Sequence, residues 1–253
     1  MICIWCKEDF DKLSLEHAIP EGLACPPELE LHDVACTGCN NGLSRVDRAL
    51  IKQFEAITML YGVPRKKGRP PMINSWQAIR GAQGPDGPYI HINGGPGVVD
   101  ADGHKLHPAS KSNGVSDVWV SPETNQLGFS HQFGNDPRFL PSLYKIGLNL
   151  VAKNFGPADA VSEKYDHIRA FVRLEPGAPA LTAALDRTTI FRPLTAATVV
   201  TRPGQAYPMF RLTILGVTFL LDMAPSQSGL RNIRAAATLH GEPLYVFPTT
   251  PAA

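Results

Sequence analysis

No cysteine follows residue 39 in this chain of 253 residues. A disulfide framework spread along the fold is thereby excluded, and whatever sulfur chemistry the protein performs is confined to one end. Charge of one sign is also missing. Twenty-four Lys and Arg against 23 Asp and Glu leave a net charge of +1, so no global field draws the chain to nucleic acid or to a membrane surface, and any such partner has to be met locally. No apolar run approaches the ~20 residues that span a bilayer. The first residues, Met1-Ile2-Cys3-Ile4-Trp5-Cys6, lack the basic-then-apolar form of a signal peptide, so a cytoplasmic location is expected. Hydrophobic residues at 43% and charged residues at 19% are globular values, while 22 Gly and 23 Pro argue for many turns and short elements and against a long helical bundle.

The five cysteines are Cys3, Cys6, Cys25, Cys36 and Cys39. Four of them form two C-x-x-C units, Cys3-Ile4-Trp5-Cys6 and Cys36-Thr37-Gly38-Cys39. Each unit presents two thiolates to one ion, and together they complete a tetrahedral zinc site. Three alternatives compete. Disulfides suit a secreted chain and would leave an odd cysteine. A redox C-x-x-C belongs in a thioredoxin-like βαβ pattern that is not seen here. Unrelated buried thiols would pair this way only by chance. Cys25, before Pro26-Pro27, reads as a bystander.

Between the cysteine pairs lie Glu16-His17 and His32-Asp33, and Asn40 follows Cys39 directly. An acid beside an imidazole, joined by an amide delivered from a fixed turn, is the donor set of one-metal phosphodiester hydrolysis. The acid and the amide oxygen suit a hard cation such as Mg²⁺, and the neutral imidazole accepts a proton from water. The ordered run of C-x-x-C, Leu13-Ser14-Leu15-Glu16-His17-Ala18-Ile19-Pro20, then Cys36-x-x-Cys39-Asn40-Asn41-Gly42-Leu43-Ser44-x-Val46-Asp47 resembles the HNH endonucleases, the ββα-metal group whose two knuckles grip a structural zinc. The resemblance covers roughly residues 1 to 60. It implies His17 as general base, Glu16 and Asn40 as ligands of a catalytic Mg²⁺ or other divalent ion, and Cys3, Cys6, Cys36 and Cys39 as zinc ligands. Two departures stand out. The acid is Glu16 where many relatives carry Asp, and the family's middle Asn is missing, Leu31, His32 and Asp33 occupying its stretch. His32 or Asp33 is the candidate to orient the base, and Asp47 matches the family's trailing acid.

Leu43, Val46, Leu50, Ile51, Phe54, Ile57 and Leu60 recur at steps mostly of three and four, which predicts one helix over about 42–61. Its polar face carries Arg45, Arg48 and Lys52 as phosphate contacts. Gly62-Val63-Pro64 stops it. Arg65, Lys66, Lys67 and Arg69 follow among Gly and Pro, a flexible basic strap suited to sequence-independent contacts with nucleic acid.

Farther on, Tyr89–Ile92, Asp117–Val120 and Leu127–Ser130 read as strands, 141–155 as a helix opened by Pro141, His167–Arg173 as an alternating strand, and Met209–Leu215 with Val217–Leu221 as a hairpin about Gly216. The Gly-rich turn 93–97 lacks a phosphate-loop order, and His104 with His107 reads as a solvated turn. The expected fold class is α+β. A zinc-bound ββα-metal module over 1–62 and a basic linker over 63–72 precede a mixed, mainly antiparallel α+β domain over 73–253. The expected function is a metal-dependent endonuclease acting on nucleic acid, DNA in first place, without a membrane partner and with a homodimer suited to double-strand cutting. The alternatives are a zinc-stabilised nucleic-acid-binding module without catalysis and a structural adaptor.

Overall fold

A computed structural model describes residues 1–73, 79–84, 87–92, 115–121, 126–131, 133–186, 192–201, 204–241 and 244–248. The turn at 93–97 and the pair His104 and His107 lie outside the described residues. The chain is mixed α+β with antiparallel sheets. It divides into two compact units whose limits differ from those expected: Met1–Arg48 joins Leu140–Ala253, and Ala49–Phe139 stands as the other. No helix among the described residues is long and apolar enough to cross a membrane.

The first unit begins with the cysteine knuckle and a hairpin of β1 (Ser14–His17) and β2 (Glu30–Ala35). Their register places Glu16 opposite Leu31 and His17 opposite Glu30, with an irregularity toward Ser14 and Ala35. Asp33 stands in the extra length with φ 58°, a left-handed backbone that Asp tolerates better than most residues. The second knuckle runs into α1 (Thr37–Gly42), whose N-cap is Cys36 itself: its sulfur accepts from the Cys39 N–H. Next come α2 (Ser44–Gln53) and α3 (Glu55–Leu60). The single helix expected over 42–61 is therefore broken, at Leu43 and again at Phe54, where φ −103° and ψ 3° leave the helical region. Periodicity survives these breaks because Val46, Leu50, Phe54 and Ile57 are all buried, which is why the stripe alone did not reveal them.

The second unit carries β3 (Met72–Ile73), β4 (Ile79–Gly84) and β5 (Gly87–Ile92) as one antiparallel sheet, and β6 (Val115–Ser121) with β7 (Gln126–His131) as a separate pair. Phe133 bridges Phe54 and Phe139, with ring centroids 5.1 and 5.9 Å away. Buried Gln53 accepts the Gly134 N–H at 3.3 Å. The basic stretch is a closed turn here, with the Arg65 N–H on Arg69 O at 2.7 Å and Arg65 Nε on Pro70 O at 2.8 Å; Lys67 takes a left-handed φ of 64°. One backbone and one side-chain bond thus fold the expected basic strap back on itself.

The chain returns to the first unit in α4 (Phe139–Phe155), followed by α5 (Pro157–Val161) and α6 (Asp166–Arg173). His167–Arg173 is thus a helix and not the alternating strand expected. Over seven residues both periods fit; burial of Ile168, Phe171 and Val172 at i, i+3 and i+4 decides for the helix. The sheet of this unit has the order β12-β8-β11-β10-β9, built from β8 (Ala183–Asp186), β9 (Ala196–Val199), β10 (Met209–Ile214), β11 (Val217–Asp222) and β12 (Leu244–Val246), with α7 (Ser228–His240) between the last two. The β10–β11 hairpin turns at Leu215 and Gly216, both at positive φ, the geometry of the tight two-residue hairpin loops. Helix α4 lies directly on β11 at Gly147, where an added Cβ would fall 2.7 Å from the Met223 sulfur. Residues 140–152 are buried throughout, and the apolar ones among them form the core of this unit. Polar Lys145 and Asn149 are buried among them.

Candidate active site

The four knuckle cysteines come together. The sulfurs of Cys3, Cys6, Cys36 and Cys39 lie within 4.8 Å of one another, and those of Cys6 and Cys36 are 3.9 Å apart. A tetrahedron of Zn–S bonds of about 2.3 Å has S···S edges of about 3.8 Å, so the set fits a zinc ion. Backbone N–H groups support it: Cys36 N–H donates to Cys3 Sγ and Cys39 N–H to Cys36 Sγ, each at 3.3 Å. Burial works against the Cys3 thiolate, yet the backbone donors of Cys36, Cys6 and Trp5 outweigh it and its pKa falls; burial raises those of Cys6 and Cys39. With all four thiols mutually crowded, a bound metal ion would make four thiolates tenable. Cys25 stays outside the cluster, half-buried, with its sulfur near Pro26 O.

The knuckle is held from the far end of the chain. Arg169 of α6, itself buried, donates from Nε to Ile4 O at 2.7 Å, and Arg173 donates to Trp5 O at 2.5 Å. Both carbonyls belong to the first C-x-x-C. Asp166 on the same helix pairs with Lys7 at 2.7 Å. Binding of the loop by fixed donors orients metal ligands in the way outer-shell partners do.

Asn40 reaches back from α1 to β1, its amide nitrogen donating to Leu15 O at 3.1 Å and to Ser14 Oγ at 3.3 Å. These two bonds tie Asn40 to β1, the strand that carries His17. Glu16 and His17 themselves are divided. Neighbours on a strand point to opposite faces: Glu16 is 3% exposed, whereas the His17 side chain is 26% exposed, with Nε2 at 3.8 Å from Glu30 Oε1 across the hairpin.

On the inner face, Glu16 Oε1 accepts from Lys145 Nζ at 2.5 Å and from Asn149 Nδ2 at 3.2 Å. Lys145 Nζ also donates to Asp47 Oδ2 at 2.9 Å. The Lys145 pKa is raised: burial opposes the charged form, but Asp47 and Glu16 together overcome it. The chain supplies its own cation to these two carboxylates, which leaves Glu16 engaged with an ammonium and turned away from His17. The cysteine set is the one His, Cys, Asp and Glu group with metal-ligand spacing among the described residues. With Glu16 Oε1 taken by Lys145 and Asn149, a catalytic divalent ion on Glu16 and Asn40 does not fit this arrangement.

The remaining expected residues are dispersed. His32 and Asp33 are exposed on β2 and neither pairs with His17. Asp47 belongs to the Lys145 cluster. Arg45 and Arg48 project into solvent from α2 and Lys52 is half-buried; Arg65, Lys67 and Arg69 sit in the closed turn of the second unit, and the Lys66 side chain lies outside the described set. Sequence reasoning missed Glu30, Lys145, Asn149, Arg169 and Arg173. Lys145 and Asn149 left a signal: two polar residues at i and i+4 on the apolar stripe of a helix. Comparison of the chain with protein-family models, with curated proteins and with solved structures finds no match.

Proposed function

We propose that the N-terminal module is an HNH-type endonuclease that hydrolyses phosphodiester bonds in nucleic acid, with His17 as its general base. The observation that carries this is the junction of three parts on one short hairpin: His17 on the outer face of β1, Asn40 bonded to the same strand at Leu15 O, and a zinc-compatible cysteine set that fixes both ends of the loop. In the proposed reaction the His17 imidazole takes a proton from water as the water oxygen bonds to phosphorus. The P–O bond to the leaving oxygen breaks, and that oxygen collects a proton in turn. Zinc, when bound, supplies structure and no chemistry to this step: it fixes the knuckles that present Asn40. The exposed cations Arg45 and Arg48 offer sequence-independent contacts to phosphate. DNA is the proposed nucleic acid, and a dimer would serve double-strand cutting.

A second reading has an observation in its favour. With Glu16 held by Lys145, the hairpin lacks the acid that the resemblance expects for a catalytic metal, which favours a zinc-stabilised nucleic-acid-binding module without catalysis. Supercoiled plasmid incubated with zinc-loaded wild-type protein, with zinc-loaded His17→Ala as control, separates the two. Nicked or linear product supports the nuclease. Retarded but intact plasmid supports the binding module.

A further inference from the structure

We infer that the carboxylate working with His17 is Glu30, across the hairpin, and that Glu16 beside it in sequence is the buried counter-ion of Lys145; this rests on the nuclease reading above. Two independent features point the same way. Glu16 is committed on the inner face, where Lys145 and Asn149 both donate to its Oε1 and Lys145 ties it to Asp47. Its side chain is almost wholly enclosed, out of reach of a polynucleotide. Glu30 stands where Glu16 does not. The register pairs it directly with His17, the carboxylate is 3.8 Å from Nε2, and its side chain is 38% exposed, so both groups open to the solvent side from which a substrate arrives.

The register irregularity next to Asp33 is what brings this about. Extra length in β2 on the Asp33 side leaves His32 and Asp33 exposed and sets Glu30 opposite His17. A role for Glu30 follows from elementary electrostatics. When His17 takes the proton from the attacking water it becomes a cation, and a carboxylate held opposite it stabilises that cation and restricts the ring. The leaving oxygen takes its proton from solvent water and His17 returns its own to solvent, so the pair ends as neutral imidazole and carboxylate, as it began. Glu30 touches neither water nor phosphorus in this scheme and is a positioning residue.

Single-turnover plasmid cleavage by the full, zinc-loaded chain tests this with Glu30→Gln and Glu30→Asp. Glu30→Gln is expected to lower kcat about 10-fold or more, within the span of acid–base effects, with KM, zinc content and thermal midpoint at wild-type values; Glu30→Asp recovers part of the rate. The His17 ring signals in ¹H–¹⁵N spectra move in Glu30→Gln at constant pH. Wild-type kcat and unmoved His17 signals in Glu30→Gln would overturn the inference while leaving the nuclease intact. So would a folded Glu16→Gln that alone abolishes cleavage. An inert wild type, by contrast, sinks the nuclease reading itself.

Discussion

Replacing Lys145 by Met takes one cation out of a buried cluster and leaves the Glu16 and Asp47 carboxylates facing each other across its place. In the wild type the ammonium lies 2.5 Å from Glu16 and 2.9 Å from Asp47, and both Lys145 and Glu16 are nearly inaccessible. Met has about the same length, so little cavity forms and the loss is chiefly electrostatic. Breaking a buried ion pair from one side costs about 3–5 kcal/mol. At about 2–4 °C per kcal/mol for a chain of this size, the thermal midpoint of the zinc-loaded protein should fall by about 6–20 °C. The pH dependence has a definite sign. A pKa raised by folding gives stabilisation that is fully present below the unfolded value, about 10.4, and is lost as pH climbs through the higher folded value. The share of the Lys145→Met deficit that belongs to the ammonium is therefore constant through neutral pH and closes in strong alkali. Removing all three charges together, Glu16→Gln with Asp47→Asn and Lys145→Met, should recover most of the loss, because no unpaired charge then remains buried. Calorimetry at several pH values measures each quantity. A Lys145→Met midpoint corresponding to less than about 1 kcal/mol of destabilisation would refute the cluster as described.

Further outcomes follow from the same geometry. Arg173→Met removes the donor to Trp5 O inside the first knuckle, so zinc affinity measured against a chromophoric chelator should fall about 10-fold, the lower end for loss of an outer-shell partner; an unchanged affinity would show that the contact does not orient the ligands. Zinc removal by chelation should lower the thermal midpoint, since binding energy at a structural site is folding energy, and re-addition should restore it.

The cysteine set was legible in the sequence because C-x-x-C spacing is a local property, and four sulfurs from two such turns have few other uses. Helix α4 was legible for a similar reason, although it starts two residues before the expected Pro141: Leu143, Ile146, Leu150 and Val151 recur at helical spacing; the β10–β11 hairpin announced itself at Gly216. What acts on Glu16 was not legible. Lys145 and Asn149 stand 129 and 133 positions away in the chain, and no local pattern links a strand acid to them. Glu30 was hidden by the register: a regular hairpin read from sequence does not foresee the extra length at Asp33. Helix α6 was mistaken because seven residues fit both periods. Its true role emerges only from Arg169 and Arg173 reaching the carbonyls of Ile4 and Trp5, contacts that also explain why the first 48 residues form one unit with the end of the chain.

The central claim is that His17 takes the proton in phosphodiester hydrolysis, and the most direct test compares plasmid cleavage by wild-type protein and His17→Ala at matched zinc content. Because the His17 side chain is partly exposed and faces away from the Lys145 cluster, the variant is predicted to keep its fold, its zinc and its affinity for DNA while losing cleavage by about 100-fold or more. Cleavage by folded, zinc-loaded His17→Ala at the wild-type rate would contradict the account.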